Sequence, residues 1–238
     1  FILTIEDRTN NLLRPPVANV EQAILINSAK EPNFSFNLLD RFLLLIEDEG
    51  ITPVIVITKI DLLTATELKA LQDEMSYYES FYKVYYLSAK TMTNLSVLDD
   101  LFKGKISVFA GQTGAGKSSL LNALNPHFNL ETNEISKALG RGKHTTRHSE
   151  LLDVFGGLVA DTPGFSRLDF YKVDLENVPV NFVDFFHLSK DCKYRACTHI
   201  NEPHCKVKEE LEKGNILPER YKNYLIIYDE IKNQKIKY

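Results

Sequence analysis

Gly111-Gln112-Thr113-Gly114-Ala115-Gly116-Lys117-Ser118-Ser119 satisfies the pattern G-x-x-x-x-G-K-[ST] in full. It stands between the apolar run Ile106-Ser107-Val108-Phe109-Ala110 and the helix-type run Leu120-Leu121-Asn122-Ala123-Leu124. Strand, glycine-rich loop and helix follow in the order that phosphate binding requires. The glycines let backbone N–H groups turn inward around an anion, and the helix that begins near Lys117 points its positive end at the same place. Lys117 can reach the outer phosphates of a nucleoside triphosphate, and Ser118 can ligate the accompanying Mg²⁺. The competing reading, a plain turn between two core elements, explains neither the lysine nor the serine.

Upstream, short apolar runs alternate with helical patterns. Ala23–Ile26, Pro53–Ile57 and Val84–Leu87 read as buried strands. Leu38–Glu49 (ended by Gly50), Glu67–Tyr78 and Leu95–Phe102 read as helices. This alternation predicts βαβ units on a parallel sheet. Downstream, Asn125–Ser149 is polar and too long for a plain connector, which marks a functional loop. Glu150–Phe155 and Leu158–Ala160 flank Gly156-Gly157 and read as a hairpin whose second strand delivers Asp161-Thr162-Pro163-Gly164. Beyond Arg167 the chain turns Phe-rich and irregular, then runs through a Cys/His cluster to helical patterns at Val207–Lys213 and Pro218–Lys232, a second and smaller module. At the other end, the β-type run Phe1–Ile5, the polar stretch Glu6–Asn11 and Arg14-Pro15-Pro16 read as the end of one unit and a linker.

Composition excludes several classes. With 238 residues, 44% hydrophobic and 25% charged, the chain can bury one large core and a small appendage. No apolar run approaches the roughly 18–20 residues of a membrane span, and no basic-then-apolar leader opens the chain. A cytoplasmic protein is expected, with no membrane partner. Phe1 is not a start methionine, so an earlier segment is expected to precede it. The three cysteines crowd between Cys192 and Cys205, which suggests a metal rather than disulfides. A formal net charge of −4 does not advertise nucleic-acid binding, although an average can hide basic patches.

Three further motifs make sense together with the phosphate loop. Asp161-Thr162-Pro163-Gly164 is a D-x-x-G element, its Asp placed to hold Mg²⁺ through water and its Gly164 N–H to meet the γ-phosphate. Thr58-Lys59-Ile60-Asp61 follows a strand and matches [NT]-K-x-D. The carboxylate of Asp61 can accept from the ring N–H and the amino group of guanine, a pair adenine does not present, while the stem of Lys59 covers the ring. Ser88-Ala89-Lys90 follows the next strand and fits the loop whose backbone N–H reads the guanine oxygen. Each fragment alone is an ordinary loop, but all fall at the C-terminal ends of strands, where open α/β sheets bind ligands. Their order, base-reading loops first and phosphate loop after, implies a circularly permuted GTPase domain.

On these motifs, with Arg14-Pro15-Pro16-Val17-Ala18-Asn19-Val20, Gly140-Arg141-Gly142-Lys143-His144-Thr145-Thr146-Arg147 and Asp161-Thr162-Pro163-Gly164-Phe165, nearly the whole chain resembles the circularly permuted small-ribosomal-subunit biogenesis GTPases, RsgA (YjeQ or YloQ). The resemblance implies an α/β fold: residues 1–17 as the end of an N-terminal OB-fold and linker, 18–170 as the permuted P-loop GTPase domain, and 171–238 as a zinc-binding, mainly helical module. It implies GTP hydrolysis to GDP as a switch in late small-subunit maturation, with the small ribosomal subunit and its rRNA as partners, and a monomer is expected. Between phosphate loop and D-x-x-G, a threonine is needed to complete Mg²⁺ coordination; Thr145 and Thr146 are candidates, Thr146 favoured. Phe165 stands near where Ras-type GTPases carry a water-orienting Gln, and a phenyl ring cannot orient water. His144 is the substitute, weighed against a solvent-facing His in a basic loop. Lys137, Arg141, Lys143 and Arg147, with no acid between Ser136 and Ser149, suit a phosphate-rich partner.

Cys192-x4-Cys197-x-His199-x5-Cys205 offers four tetrahedral N/S ligands for one Zn²⁺, a closed and therefore structural set; His204 is an alternative to His199, awkward beside Cys205. The spacing also resembles the family's zinc motif. From Lys190 onward the chain has eleven Lys/Arg against eight Asp/Glu, a mild excess without an evident basic stripe or aromatic platform. Two rivals stand beside the GTPase reading: a guanine-nucleotide-binding scaffold with negligible turnover, and a nucleic-acid-binding zinc domain with the GTPase as passenger.

Overall fold

The computed structural model describes residues 7–13, 16–125, 150–165, 170 and 172–234. The run Phe1–Ile5 and the loop expected to carry His144, Thr145 and Thr146 lie outside them. A six-stranded sheet forms the frame, built from β3 (Gln22–Ser28), β4 (Thr52–Thr58), β5 (Lys83–Tyr86), β6 (Ile106–Ala110), β7 (Glu150–Val154) and β8 (Gly157–Phe165) in the order β5-β4-β3-β6-β8-β7. All neighbours are parallel except β7, which pairs antiparallel with β8 at the edge. Ahead of it, β1 (Asn11–Leu13) and β2 (Pro16–Ala18) pair antiparallel as a separate two-stranded sheet.

Every residue of β3 is buried, because both faces of the sheet are covered. Successive side chains go to opposite layers: Ala23 and Leu25 join one core with Ile55 and Ile57 of β4, whereas Ile24 and Ile26 join the other with Val54 and Val56. The first layer holds α1 (Phe36–Asp48) and α2 (Ala65–Glu79). Ser35 caps α1 by accepting from Leu38 N–H at 3.3 Å. Thr64 and Glu67 form a reciprocal capping box, which is why α2 starts at Ala65, two residues before the apolar pattern. The second layer holds α3 (Lys117–Leu124) and the stretch expected as a helix at Leu95–Phe102. That stretch makes only one 3₁₀ turn, Leu95–Leu98. Its buried residues Leu95, Leu98, Leu101 and Phe102 still pack into this layer, a spacing that a 3₁₀ turn and an α-helix can both serve.

The region read as irregular after Arg167 contains α4 (Val178–Asn181) and α5 (Val183–Ser189); α6 (Lys206–Glu212) and α7 (Pro218–Lys232) follow the Cys/His cluster. These helices pack on the far side of α1, which explains why α1 buries residues on nearly all sides. An ion cluster lies inside that packing. Arg220 of α7, 1% exposed, donates to Asp40 of α1 (2.5 Å) and twice to Asp184 of α5 (2.9 and 3.3 Å). Tyr77 and Tyr78 of α2 donate to Asp184 and Asp40 at 2.6 and 2.8 Å, and Asn223 donates to Asp40 at 2.7 Å. Burial works against the charge of Asp184, yet the Arg220 charge together with the hydrogen bonds from Arg220, Tyr77 and the backbone outweighs it and holds the carboxyl low; burial raises Asp40. Removing one partner from such a cluster strands a buried charge and costs about 3–5 kcal/mol. The exposed Lys69–Asp73 pair on α2 contributes little by comparison.

Candidate nucleotide site and metal centre

The parallel strands β3, β4, β5, β6 and β8 all end at one edge of the sheet, and the loops that leave them there make the site. The chain leaving β6 passes so close to β3 that a Cβ on Gly111 would lie 2.1 Å from the Ile26 carbonyl oxygen. Gly111 (φ 121°), Gly114 (φ 82°) and Gly116 (φ 97°) carry the backbone through conformations that L side chains rarely adopt, and α3 starts directly at Lys117. The first-turn N–H groups of α3 have no side-chain cap. Lys117 curls back over the loop, its Nζ donating to the carbonyls of Gly111 (2.6 Å) and Gln112 (2.8 Å). Burial brings its pKa down to about 8, so the loop holds the ammonium at a cost that an arriving phosphate would remove. Ala115 is fully buried, and Ser118 and Ser119 lie in the first turn of α3.

The loops expected to read the base connect to this loop through Thr58 and Lys59. The Thr58 hydroxyl at the end of β4 donates to Ala115 O at 2.6 Å and lies 3.2 Å from Asn27 O. Lys59 takes a left-handed backbone (φ 59°), and its ammonium bridges Gly114 O (2.8 Å) and the carbonyl of Glu31. Its stem therefore lies alongside the phosphate loop. Asp61 accepts from Ser88 Oγ at 2.5 Å, and that oxygen also accepts from Thr91 N–H. Ser88 forms an antiparallel bridge with Thr93, and Ala89 and Lys90 occupy the turn between. The Thr58-Lys59-Ile60-Asp61 and Ser88-Ala89-Lys90 loops are thus in contact, and the first is bonded to the Gly111–Ser119 loop. Glu31 was not singled out in the sequence; it contributes only a carbonyl, which leaves no residue-type signal.

Asp161-Thr162-Pro163-Gly164 ends β8 as a bulge. Val108 pairs with Ala160 and Ala110 with Phe165, so four residues of β8 stand opposite Phe109 alone. The bulge lies beside the strand that feeds the phosphate loop. The β7–β8 turn that aims this strand has Phe155 (φ 50°) and Gly156 (φ 73°) both left-handed, as a two-residue hairpin requires.

The second site lies between α5 and α6. The ligand atoms of Cys192, Cys197, His199 and Cys205 all fall within 4.8 Å of one another. His199 is fully buried, with Nδ1 3.4 Å from Cys205 Sγ and 3.8 Å from Cys192 Sγ. The Tyr221 hydroxyl donates to the His199 carbonyl at 2.7 Å, and Lys206 N–H points at Cys192 Sγ at 3.3 Å. Glu202 accepts from Thr198 N–H, Thr198 Oγ1 and Ile200 N–H, which braces the loop. Burial pushes the Cys197 thiol up to about 12. Three sulfurs so close cannot ionise together without a cation, and the S₃N donor set fits Zn²⁺. His204, the alternative ligand, stays outside the group; its carbonyl accepts from Lys193 N–H at 3.4 Å.

A family model described as RsgA GTPase matches residues 5–171. The small ribosomal subunit biogenesis GTPase RsgA of Geobacillus sp. (strain WCH70) is 51% identical over 239 residues, which span 100% of this chain and 82% of that protein. The Bacillus velezensis protein of that name is 50% identical over 240 residues, 100% of this chain and 81% of that one. Among solved structures, YloQ, a circularly permuted GTPase, superposes with a TM-score of 0.83 at 42% identity, covering 99% of this chain and 76% of that one. YjeQ from Thermotoga maritima gives 0.84 at 37%, covering 98% and 78%.

Two outcomes follow from this geometry. Phosphates beside Lys117 raise its pKa again, so nucleotide binding takes up a proton above pH 8 and none below. Affinity should be level from pH 7 to 8 and then fall by up to about tenfold per pH unit; titration calorimetry showing a flat profile to pH 9.5 would contradict it. Elemental analysis should find zinc in the purified protein, and Cys197→Ala should lose it and destabilise the helices from 171 onward while nucleotide binding survives. Absence of zinc from the unmutated protein would end that assignment.

Proposed function

The chain belongs to the RsgA GTPase family, and on that premise we propose that it hydrolyses GTP to GDP as a switch in late maturation of the small ribosomal subunit, with the residue roles that follow. The observation that carries the proposal is the fastening of the guanine-reading strand to the phosphate loop: Thr58 bonds Ala115, Lys59 bonds Gly114 and Asp61 bonds Ser88. A nucleotide seated with its phosphates in the Gly111–Ser119 loop would find the base-reading groups on the same side of the sheet.

In this reading the backbone N–H groups of Gln112, Thr113, Gly114, Ala115, Gly116 and Ser119 cradle the α- and β-phosphates, and Lys117 leaves its carbonyl partners for the β- and γ-phosphates. The Gly164 N–H meets the γ-phosphate. Ser118, Thr146 and Asp161 are the residues that would hold Mg²⁺, which would offset the charge of the phosphates. Asp61 accepts from guanine, and the amides of Ala89 and Lys90 face the guanine oxygen. His144 orients the attacking water in place of the Gln that Phe165 displaces. Zinc is structural and holds residues 171–238 as one module beside the GTPase domain of 18–170, with 1–17 ending an OB-fold. The partner is the small subunit and its rRNA, met in the cytoplasm by a monomer. Among the described residues no helix is long and apolar enough to cross a membrane.

Positioned by a residue on a long loop, the attacking water is rarely aligned in the free protein, and a docked partner raises the aligned population. Phosphate release should therefore be slow alone and rise when purified small subunits are added. His144→Ala should keep GTP affinity and subunit binding but lose about 10²–10⁴-fold of the stimulated rate. Full stimulated turnover in that variant would remove His144 from the mechanism, and no stimulation of the parent would favour the scaffold reading.

A further inference from the structure

The C-terminal module exposes aromatic rings together with unpaired cations. Phe186 on α5 and Tyr194 in the zinc-binding loop keep 41% and 44% of their surface in solvent. Each carries a lysine: Lys190 Nζ lies 5.9 Å from the Phe186 ring centre, and Lys193 Nζ 5.8 Å from that of Tyr194. His187, also exposed, extends the aromatic strip. Its ring lies 6.2 Å from Phe186 and 6.5 Å from Phe81, near-parallel to the latter at 19°. Arg195 is exposed beside Tyr194.

Among the described residues, Lys190, Lys193 and Arg195 make no ion pair and fall within six positions of one another. Lys206, Lys213 and Lys222 are each paired with a glutamate on or beside their own helix, and Lys208 donates to the Ile200 carbonyl. Asp191 is the only acid between 186 and 195. The stretch is also held in place, since Phe185 and Asp184 anchor α5 in the core and Cys192 and Cys197 belong to the metal cluster. Exposed rings and cations whose only partners are each other add little to folding stability. A planar ring beside a cation matches a planar base beside a phosphate.

We propose that Phe186, His187, Lys190, Lys193, Tyr194 and Arg195 form a docking surface for unpaired bases of RNA. The rings stack on bases whatever their identity, and the three cations follow the backbone phosphates. Paired bases, stacked inside a duplex, cannot offer their faces, so single strands, loops and bulges are the targets. The proposal rests on the reading that this chain acts on ribosomal RNA, and it adds which surface does so and which RNA form it takes.

The test is fluorescence anisotropy of the full chain with an oligoribonucleotide of about twelve nucleotides, single-stranded or annealed to its complement, over a range of salt. The single strand should bind more tightly than the duplex. Phe186→Ala and Tyr194→Ala should each weaken single-strand binding by about 5–100-fold, while Tyr194→Phe retains it. Lys190→Gln with Lys193→Gln should reduce the salt slope by about 0.7 per cation removed. Zinc content and GTP hydrolysis without subunits should match the parent in all variants, which separates a lost surface from a lost fold. Unchanged binding in the alanine variants, or equal binding of duplex, would overturn the surface. Subunit-stimulated GTP hydrolysis in a parent that binds no single strand would overturn it while leaving the GTPase reading intact. A parent that binds the single strand through these residues, yet is not stimulated by subunits, would support the surface and count against the switch.

Discussion

The close approach of Gly111 to the Ile26 carbonyl governs the nucleotide edge of this molecule. A Cβ there would stand 2.1 Å from that oxygen, so the loop leaving β6 can run across the end of β3 only because the position is glycine. Once it does, Ala115 O falls within reach of Thr58, and Gly114 O within reach of Lys59. The Gly111–Ser119 loop and the Thr58–Asp61 loop are then a single bonded unit. The order in which the chain visits them is immaterial to that geometry, because what positions the loops is the strand order β4-β3-β6-β8 and their common direction. A permuted chain can therefore present the same edge as an unpermuted one.

The layer beneath the site links it to the end of the molecule that carries the Cys/His cluster. Helix α2 begins shortly after the Thr58–Asp61 loop and carries Tyr77 and Tyr78; α1 carries Asp40, α5 Asp184 and α7 Arg220. Four helices thus converge on one buried guanidinium, which couples the layer that follows the Thr58–Asp61 loop to the C-terminal helices. Such clusters are weak evidence for net stability, since a well-packed apolar substitute can serve as well. Their geometric demand is strict, however: displacing α7 would leave both buried carboxylates without their guanidinium, and displacing α2 would take away the tyrosine hydroxyls that donate to them.

Much of this could be read from the sequence, and the limits have physical reasons. The Gly111–Ser119 loop, the Thr58-Lys59-Ile60-Asp61 and Ser88-Ala89-Lys90 loops and the Cys₃His set were legible because their chemistry needs particular residue types at short spacings. The central strands were legible because both faces are buried. Leu95–Phe102 looked helical since apolar residues three apart serve a 3₁₀ turn and an α-helix alike, and α4 and α5 were hidden by Phe-rich stretches whose burial is set by α1 and α7. The Asp40–Arg220–Asp184 cluster had no local signature, its members lying 180 and 36 positions apart. The exposed strip from Phe186 to Arg195 was likewise invisible as a platform, because only the fold shows which rings and cations stay outside. His144 and Thr146 rest on the sequence alone.

The most direct test of a single guanine-reading site is a change of base preference at Asp61. Guanine offers a ring N–H and an amino group to a carboxylate, whereas xanthine carries a carbonyl where guanine carries the amino group. Asp61→Asn replaces one acceptor by a donor, so equilibrium binding should show GDP weakened by roughly 10–100-fold and xanthosine diphosphate strengthened, on charge-assisted bonds worth about 1.5–3 kcal/mol each. A variant that binds GDP as tightly as the parent and still rejects xanthosine diphosphate would place base recognition elsewhere and contradict the account.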